Sequence, residues 1–150
     1  MSPFDWRSVL LARHAQHVVL IHFPIALFIT GVMFDVVSFP RKQNQFGQVA
    51  FYNFCVAAIS TIPALATGLI AWQWALEGKH LEGILLLHLI FAVAASVLIW
   101  AVCLLAWRER SFGASRAAII AKYSLEFLAV GLLGLAGHLG GFLSGVNGGP

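Results

Sequence analysis

The residues best equipped for chemistry in this 150-residue chain are its six histidines, and they cluster. His14, His17 and His22 stand at the start of the first long apolar run. His80 and His88 stand around the start of the third, and His138 near the end of the fourth. A polar group at membrane depth is costly and is usually retained for function. Three uses fit imidazoles so placed. They can be interfacial or hydrogen-bonded core residues. Two of them, on different helices, can grip one haem iron from opposite faces of the porphyrin. Three or four of them can hold copper or zinc. No carboxylate or thiolate accompanies His22 and His88 at their depth, which counts against zinc.

The elements that position these residues follow from composition. The chain is 60% hydrophobic and only 10% charged, where soluble domains carry about 25% charged residues. Four apolar segments cover residues 17–39, 50–76, 83–107 and 117–143. Each reaches the roughly 20 residues a helix needs to cross a bilayer. Backbone groups in lipid must be satisfied internally, so helices are expected. Short connections make sequential helices antiparallel neighbours. The predicted fold is therefore all-α: an integral-membrane, up-down-up-down four-helix bundle in one domain over 1–150. Residues 1–16 carry a weak signal for an interfacial helix. The first apolar run lacks a small-residue cleavage site and is expected to stay in the membrane. Cys55 and Cys103 form no CxxC pair and no CxxCH is present, so covalent c-type haem attachment is excluded. Each is read as a buried, inert thiol.

Charge sets the topology. Arg41 and Lys42 lie between the first two segments. Arg108, Arg110, Arg116 and Lys122 lie between or just inside the last two, making six of the nine basic residues on one side. The positive-inside rule puts that side in the cytoplasm. The expected location is a bacterial inner (plasma) membrane, crossed several times, with both termini periplasmic. Trp6, Trp72 and Trp74 at one boundary and Trp107 at the other fit an aromatic belt. The small net charge of +3 is a topology signal and gives no reason to expect nucleic acid.

All six histidines then fall in the outer half. At about 1.5 Å per residue, His88 lies roughly 7–8 Å inside its helix, and His22 is about level with it. His138 returns to the same region from the other direction. His17 and His22 are five residues apart and so point about 140° away from each other, which prevents them from serving one face. His22 and His88 are the first choice of axial pair. His17 and His138 are the reserve, with a second haem if both pairs are filled.

Other features carry two readings each. Pro24 removes one backbone donor in the first helix and frees the Leu20 carbonyl; Pro63 does the same for Ile59 in the second. Gly134, Gly137 and Gly141 line one face of the fourth helix, where another helix or a flat cofactor can approach closely. Asp35 and Glu126 are acids inside apolar segments. Lys122 stands four residues before Glu126 on one helix face and is the expected partner. A proton path through these acids is the functional alternative.

These residues also resemble a family. "HVVLIHFPIALFITGVMFD" is similar to the N-terminal signature of DUF2231, a family of small bacterial membrane proteins. His17, His22, Phe23, Pro24 and Asp35 fill the matching positions, although Val18 stands where a proline usually follows the first histidine. "IPALATGLIAW", with Pro63, Thr67 and Gly68, and "GHLGGFLSGVNG", with Gly137, Leu139, Gly140, Gly141 and Leu143, resemble two later patterns; His138 is an addition. The resemblance implies a four-helix membrane domain laid out like small b-type cytochromes, and by analogy electron transfer.

The functional expectation is a membrane protein binding haem b, one or two per chain. It would relay electrons between quinone and a periplasmic or membrane redox partner. It carries no nucleophile–base set, Walker loop or dinucleotide fingerprint, so an electron-transfer subunit is expected in preference to a complete enzyme. The alternatives are a cofactor-free structural or anchor subunit of a larger complex, and a metal-ion or small-solute carrier using the outer histidines.

Overall fold

A computed structural model describes residues 13–39, 44–75 and 80–144. Four helices account for nearly all of them: α1 (Arg13–Ser38), α2 (Asn44–Ala75), α3 (Gly83–Phe112) and α4 (Arg116–Leu143). All four are long and apolar enough to span a membrane. The expected all-α membrane bundle is the observed fold. The helices begin and end close to the expected positions, with α2 starting six residues earlier and α3 ending five later. Both extensions run through polar sequence, where the helix leaves the apolar region and continues. The weak signal before residue 13 lies outside the described residues.

Local chemistry fixes the ends. The Gly113 amide donates to the Glu109 carbonyl at 2.9 Å and closes α3, with φ at +75°, a conformation that favours glycine. Two residues later the Ser115 hydroxyl accepts the Ala118 amide at 3.2 Å and opens α4. Pro24 and Pro63 lie inside unbroken helices. Hydroxyl groups in the spans bond back to their own helix. Ser60 donates to the Ala57 carbonyl, Thr61 to Ala58 and Ser96 to Ala92. Lipid offers these groups no alternative partner.

The helices pair as two hairpins. α1 packs most extensively on α2, and α3 on α4; α2 meets α3 less, and α1 meets α4 less still. The core lies toward the end that carries the two basic connections, here called the basic end. It is built on Phe28, Val32, Phe54, Ile99 and Val102, with Ala50, Ala57, Ala58, Ala106 and Ala129 between them. Small residues allow close backbone approach, which is how membrane helices gain packing energy. The rings of Phe28 and Phe54 lie 5.5 Å apart at 46°. Phe54 also covers Gly31, where an added Cβ would stand 2.8 Å from the ring. The opposite end carries the described histidine side chains and is called the histidine end.

The two hairpins share one burial pattern. Buried positions of α1 are 24, 28, 31, 32 and 35; those of α3 are 95, 99, 102, 103 and 106, each displaced by the interval from His17 to His88. Buried Ala50, Phe54, Ala57 and Ala64 of α2 match buried Lys122, Glu126, Ala129 and Ala136 of α4 at an interval of 72 residues, one longer than between α1 and α3, while buried Ala58, Thr61 and Ala71 have no buried counterpart. Few residue types are shared at these matched positions. Among those that are, His17/His88, Ala64/Ala136 and Gly68/Gly140 belong to one contact, described below. The molecule is thus one hairpin pattern used twice, with both copies running in the same direction.

Replacing Gly31 with valine forces the Phe54 ring out of its place. A loss of about 1–3 kcal/mol is expected, read as a lower unfolding midpoint in detergent micelles, with Phe54→Leu/Gly31→Val recovering part of it.

Candidate functional site

The histidine end is built twice over. From α1, His17 places its ring against α2: Nδ1 lies 3.1 Å from the Ala64 carbonyl and 3.3 Å from the Thr67 hydroxyl. The ring covers Gly68, where a Cβ would stand 2.9 Å from its Cε1. From α3, His88 repeats the arrangement against α4. Its Nδ1 lies 2.9 Å from the Ala136 carbonyl, and its Cε1 would be 3.2 Å from a Cβ on Gly140. A carbonyl can only accept, so Nδ1 carries a proton in both rings. Both imidazoles are half-buried. Glycine four residues after the accepting alanine leaves the space the ring needs.

The other histidines are placed differently. His22 is exposed on the bundle surface, and its Nδ1 lies 2.6 Å from the Val18 carbonyl of its own helix. His138 is exposed and meets Phe142 edge to face at 5.0 Å between centroids. His80 is exposed beside the start of α3. The side chain of His14 lies outside the described residues. The divergence expected for His17 and His22 is therefore present: one turns to α2, the other outward. Among the described residues no group of three or more histidines, cysteines or acids converges as a multi-ligand metal site would. On α4, Gly134 and Gly137 have no atom within 4 Å of a built Cβ. Gly140 is the glycine that admits an imidazole.

A second polar group occupies the basic end. Lys122 of α4 makes ion pairs with Asp35 of α1 at 2.9 Å and with Glu109 of α3 at 2.7 Å. Lys122 and Asp35 are buried, at 4% and 6% exposure. Glu126 is wholly buried, and neither carboxyl oxygen receives a hydrogen bond. This departs from the expected Lys122–Glu126 pair. Helical side chains lean toward the helix N-terminus. The lysine therefore reaches toward the basic end, where Glu109 and Asp35 lie, while Glu126 sits one turn deeper. Asp35 is covered from α4: the Tyr123 hydroxyl donates to its backbone carbonyl at 3.4 Å, and Phe39 meets the Tyr123 ring edge-on.

Glu109 was missed in the sequence because it reads as part of the polar "RER" turn. Its position thirteen residues before Lys122, across a tight α3–α4 connection, was the available signal. The cysteines also meet, with sulfurs 3.4 Å apart between α2 and α3 and both thiols free. Trp100 donates to the Thr61 hydroxyl across the same pair of helices at 3.2 Å.

The family model described as predicted membrane protein (DUF2231) matches residues 13–148. The chain belongs to the DUF2231 family. No curated protein and no solved structure matches it. The DUF2231 match covers all four helices, so both hairpins, and both polar groups, lie inside the family's domain.

Removing Lys122 from this DUF2231 protein strands the buried Asp35 carboxylate. Lys122→Met is expected to lose about 3–5 kcal/mol of stability, and Lys122→Met/Asp35→Leu to recover much of that. Thermal unfolding of the purified variants reads both.

Proposed function

We propose that this chain is a b-type haem protein that relays electrons within the membrane, in which His17 and His88 would hold the haem. What carries the reading is the repeated His–Ala–Gly contact. It gives both imidazoles the same partner and the same tautomer, in otherwise divergent hairpins. Ligating histidines characteristically donate their second ring N–H to a carbonyl or carboxylate, which fixes the ring and raises ligand basicity. Ala64 and Ala136 do this here. Matching positions in two parallel hairpins also place the imidazoles at matching depth. Haem, when bound, supplies a one-electron iron couple whose potential depends on axial ligation and burial. The chain's own residues orient the imidazoles, exclude water with apolar helix faces and, through Gly68 and Gly140, keep side chains out of the ring's way.

This moves the preferred α1 ligand from His22 to His17. His22 and His138, both exposed, are the reserve set for a second haem. The reading places the basic end in the cytoplasm and the haem toward the periplasmic face, between quinone and a periplasmic or membrane redox partner.

One observation favours a second reading. Both imidazoles bond within their own hairpins, and such bonds also serve as polar fasteners between membrane helices. A cofactor-free anchor subunit would use them in that way.

The dithionite-reduced absorption spectrum of the purified chain, expressed with haem in excess, separates the two. A low-spin b-type spectrum is expected, lost in His17→Ala and in His88→Ala and kept in His22→Ala. Colourless wild-type protein, negative by pyridine haemochromogen assay, rejects the haem reading. Loss of the spectrum in His22→Ala but not in His17→Ala returns the α1 ligand to His22.

A further inference from the structure

The repeat shows what the bundle itself requires at the basic end. The counterparts of Asp35, Lys122 and Glu126 in the other hairpin are Ala106, Ala50 and Phe54, all buried and apolar. Hairpin packing is therefore satisfied without charge at these three positions. Placing ions there is costly, because desolvation of each must be offset by good partners.

The partners do not balance. Lys122 supplies one positive charge to two acids, Asp35 and Glu109. Glu126 adds a third acid at 0% exposure, with neither carboxyl oxygen receiving a hydrogen bond. The titratable and charged groups close enough to influence it are Asp35 on α1, Glu109 on α3, and Lys122 and Tyr123 on α4. From α2 the core presents Ala50, Phe54, Ala57 and Ala58, none of which titrates. An ionised Glu126 would be a second uncompensated negative charge with no donor. A protonated Glu126 can donate its O–H to the Asp35 carboxyl, which satisfies both.

A route approaches this group from the basic end. A cavity of about 350 Å³ at the basic end is bordered by Arg108, Glu109, Ser115, Ala118 and Lys122. The Glu109 side chain is 36% exposed and touches Lys122, which touches Asp35. Glu126 lies about 15 Å along α4 from its start, near the middle of a hydrocarbon layer roughly 30 Å thick. Beyond it, the next buried residues of α4 are Ala129 and Ala136.

We propose that Glu126 and Asp35 form a proton-binding site in the membrane, loaded from the basic end through Glu109 and Lys122. In loading, a hydronium ion in the cavity gives up its proton, one O–H bond forms on the Glu126 carboxylate, and water is left behind. Release reverses the step, and no oxidant or reductant takes part. The site stands whether or not haem is bound.

Infrared spectroscopy of the full chain in lipid nanodiscs tests it. At neutral pH a protonated-carboxyl C=O band is expected. It should shift on exchange into D2O, vanish in Glu126→Gln and move in Asp35→Asn. Glu109→Gln should slow the D2O shift several-fold. Glu126→Gln should unfold at the wild-type temperature, because glutamine reproduces a neutral carboxyl. Absence of the band, its survival in Glu126→Gln, or its loss on adding sodium at constant pH would overturn the proposal. So would a large drop in the stability of Glu126→Gln, since that marks an ionised, paired carboxylate.

Discussion

An imidazole in a bilayer has no water to turn to, so its N–H must find an acceptor inside the protein. In this bundle two histidines find one in the same way, on an alanine carbonyl of the following helix, with a glycine one turn further on. The requirement is restrictive. The acceptor must face the partner helix, the helices must approach closely, and the residue under the ring must have no side chain. Meeting it twice fixes the rotation of α1 against α2 and of α3 against α4.

The rest of the bundle divides along its length. Toward the basic end, phenylalanine, isoleucine, valine and alanine interdigitate, and the hairpins are tied by the Lys122–Asp35 ion pair, Trp100–Thr61 and the stacking of Arg110 on Phe51 at 4.8 Å. Toward the histidine end the buried residues are small: Ala64, Ala71, Ala95 and Ala136. Large side chains thus pack at one end, and small residues accompany the oriented imidazoles at the other. The basic end departs from the repeat just where charge replaces alanine and phenylalanine. The fold tolerates this because the lysine is held from both sides, while the Glu126 carboxyl is left without a donor.

The sequence carried the four spans and their antiparallel order, because twenty apolar residues between polar connections admit little else. It also carried the opposed directions of His17 and His22, which five-residue spacing dictates. It did not disclose which of the two faces the partner helix, since both lie in apolar surroundings. The signal was present in the spacing. Counting back from Asp35 in steps of seven, four and seven passes through Phe28 and Pro24 to His17 and skips His22. The same steps from Ala106 lead through Ile99 and Ala95 to His88. The repeat itself stayed hidden because burial in lipid constrains size and polarity far more than residue type, so the hairpins kept their pattern while nearly every side chain changed. Lys122 was assigned to Glu126 by helical spacing, which takes no account of acids on neighbouring helices.

The claim that most of this rests on is the equivalence of His17 and His88. Solid-state nitrogen NMR of histidine-labelled protein in lipid bilayers, before and after reconstitution with haem, tests it most directly. Both residues should show the Nδ1–H tautomer without haem, and both Nε2 signals should change together when haem is added, with the His22 signal unaffected. A signal for either residue in the Nε2–H form, or a response from only one of the two, would contradict the account.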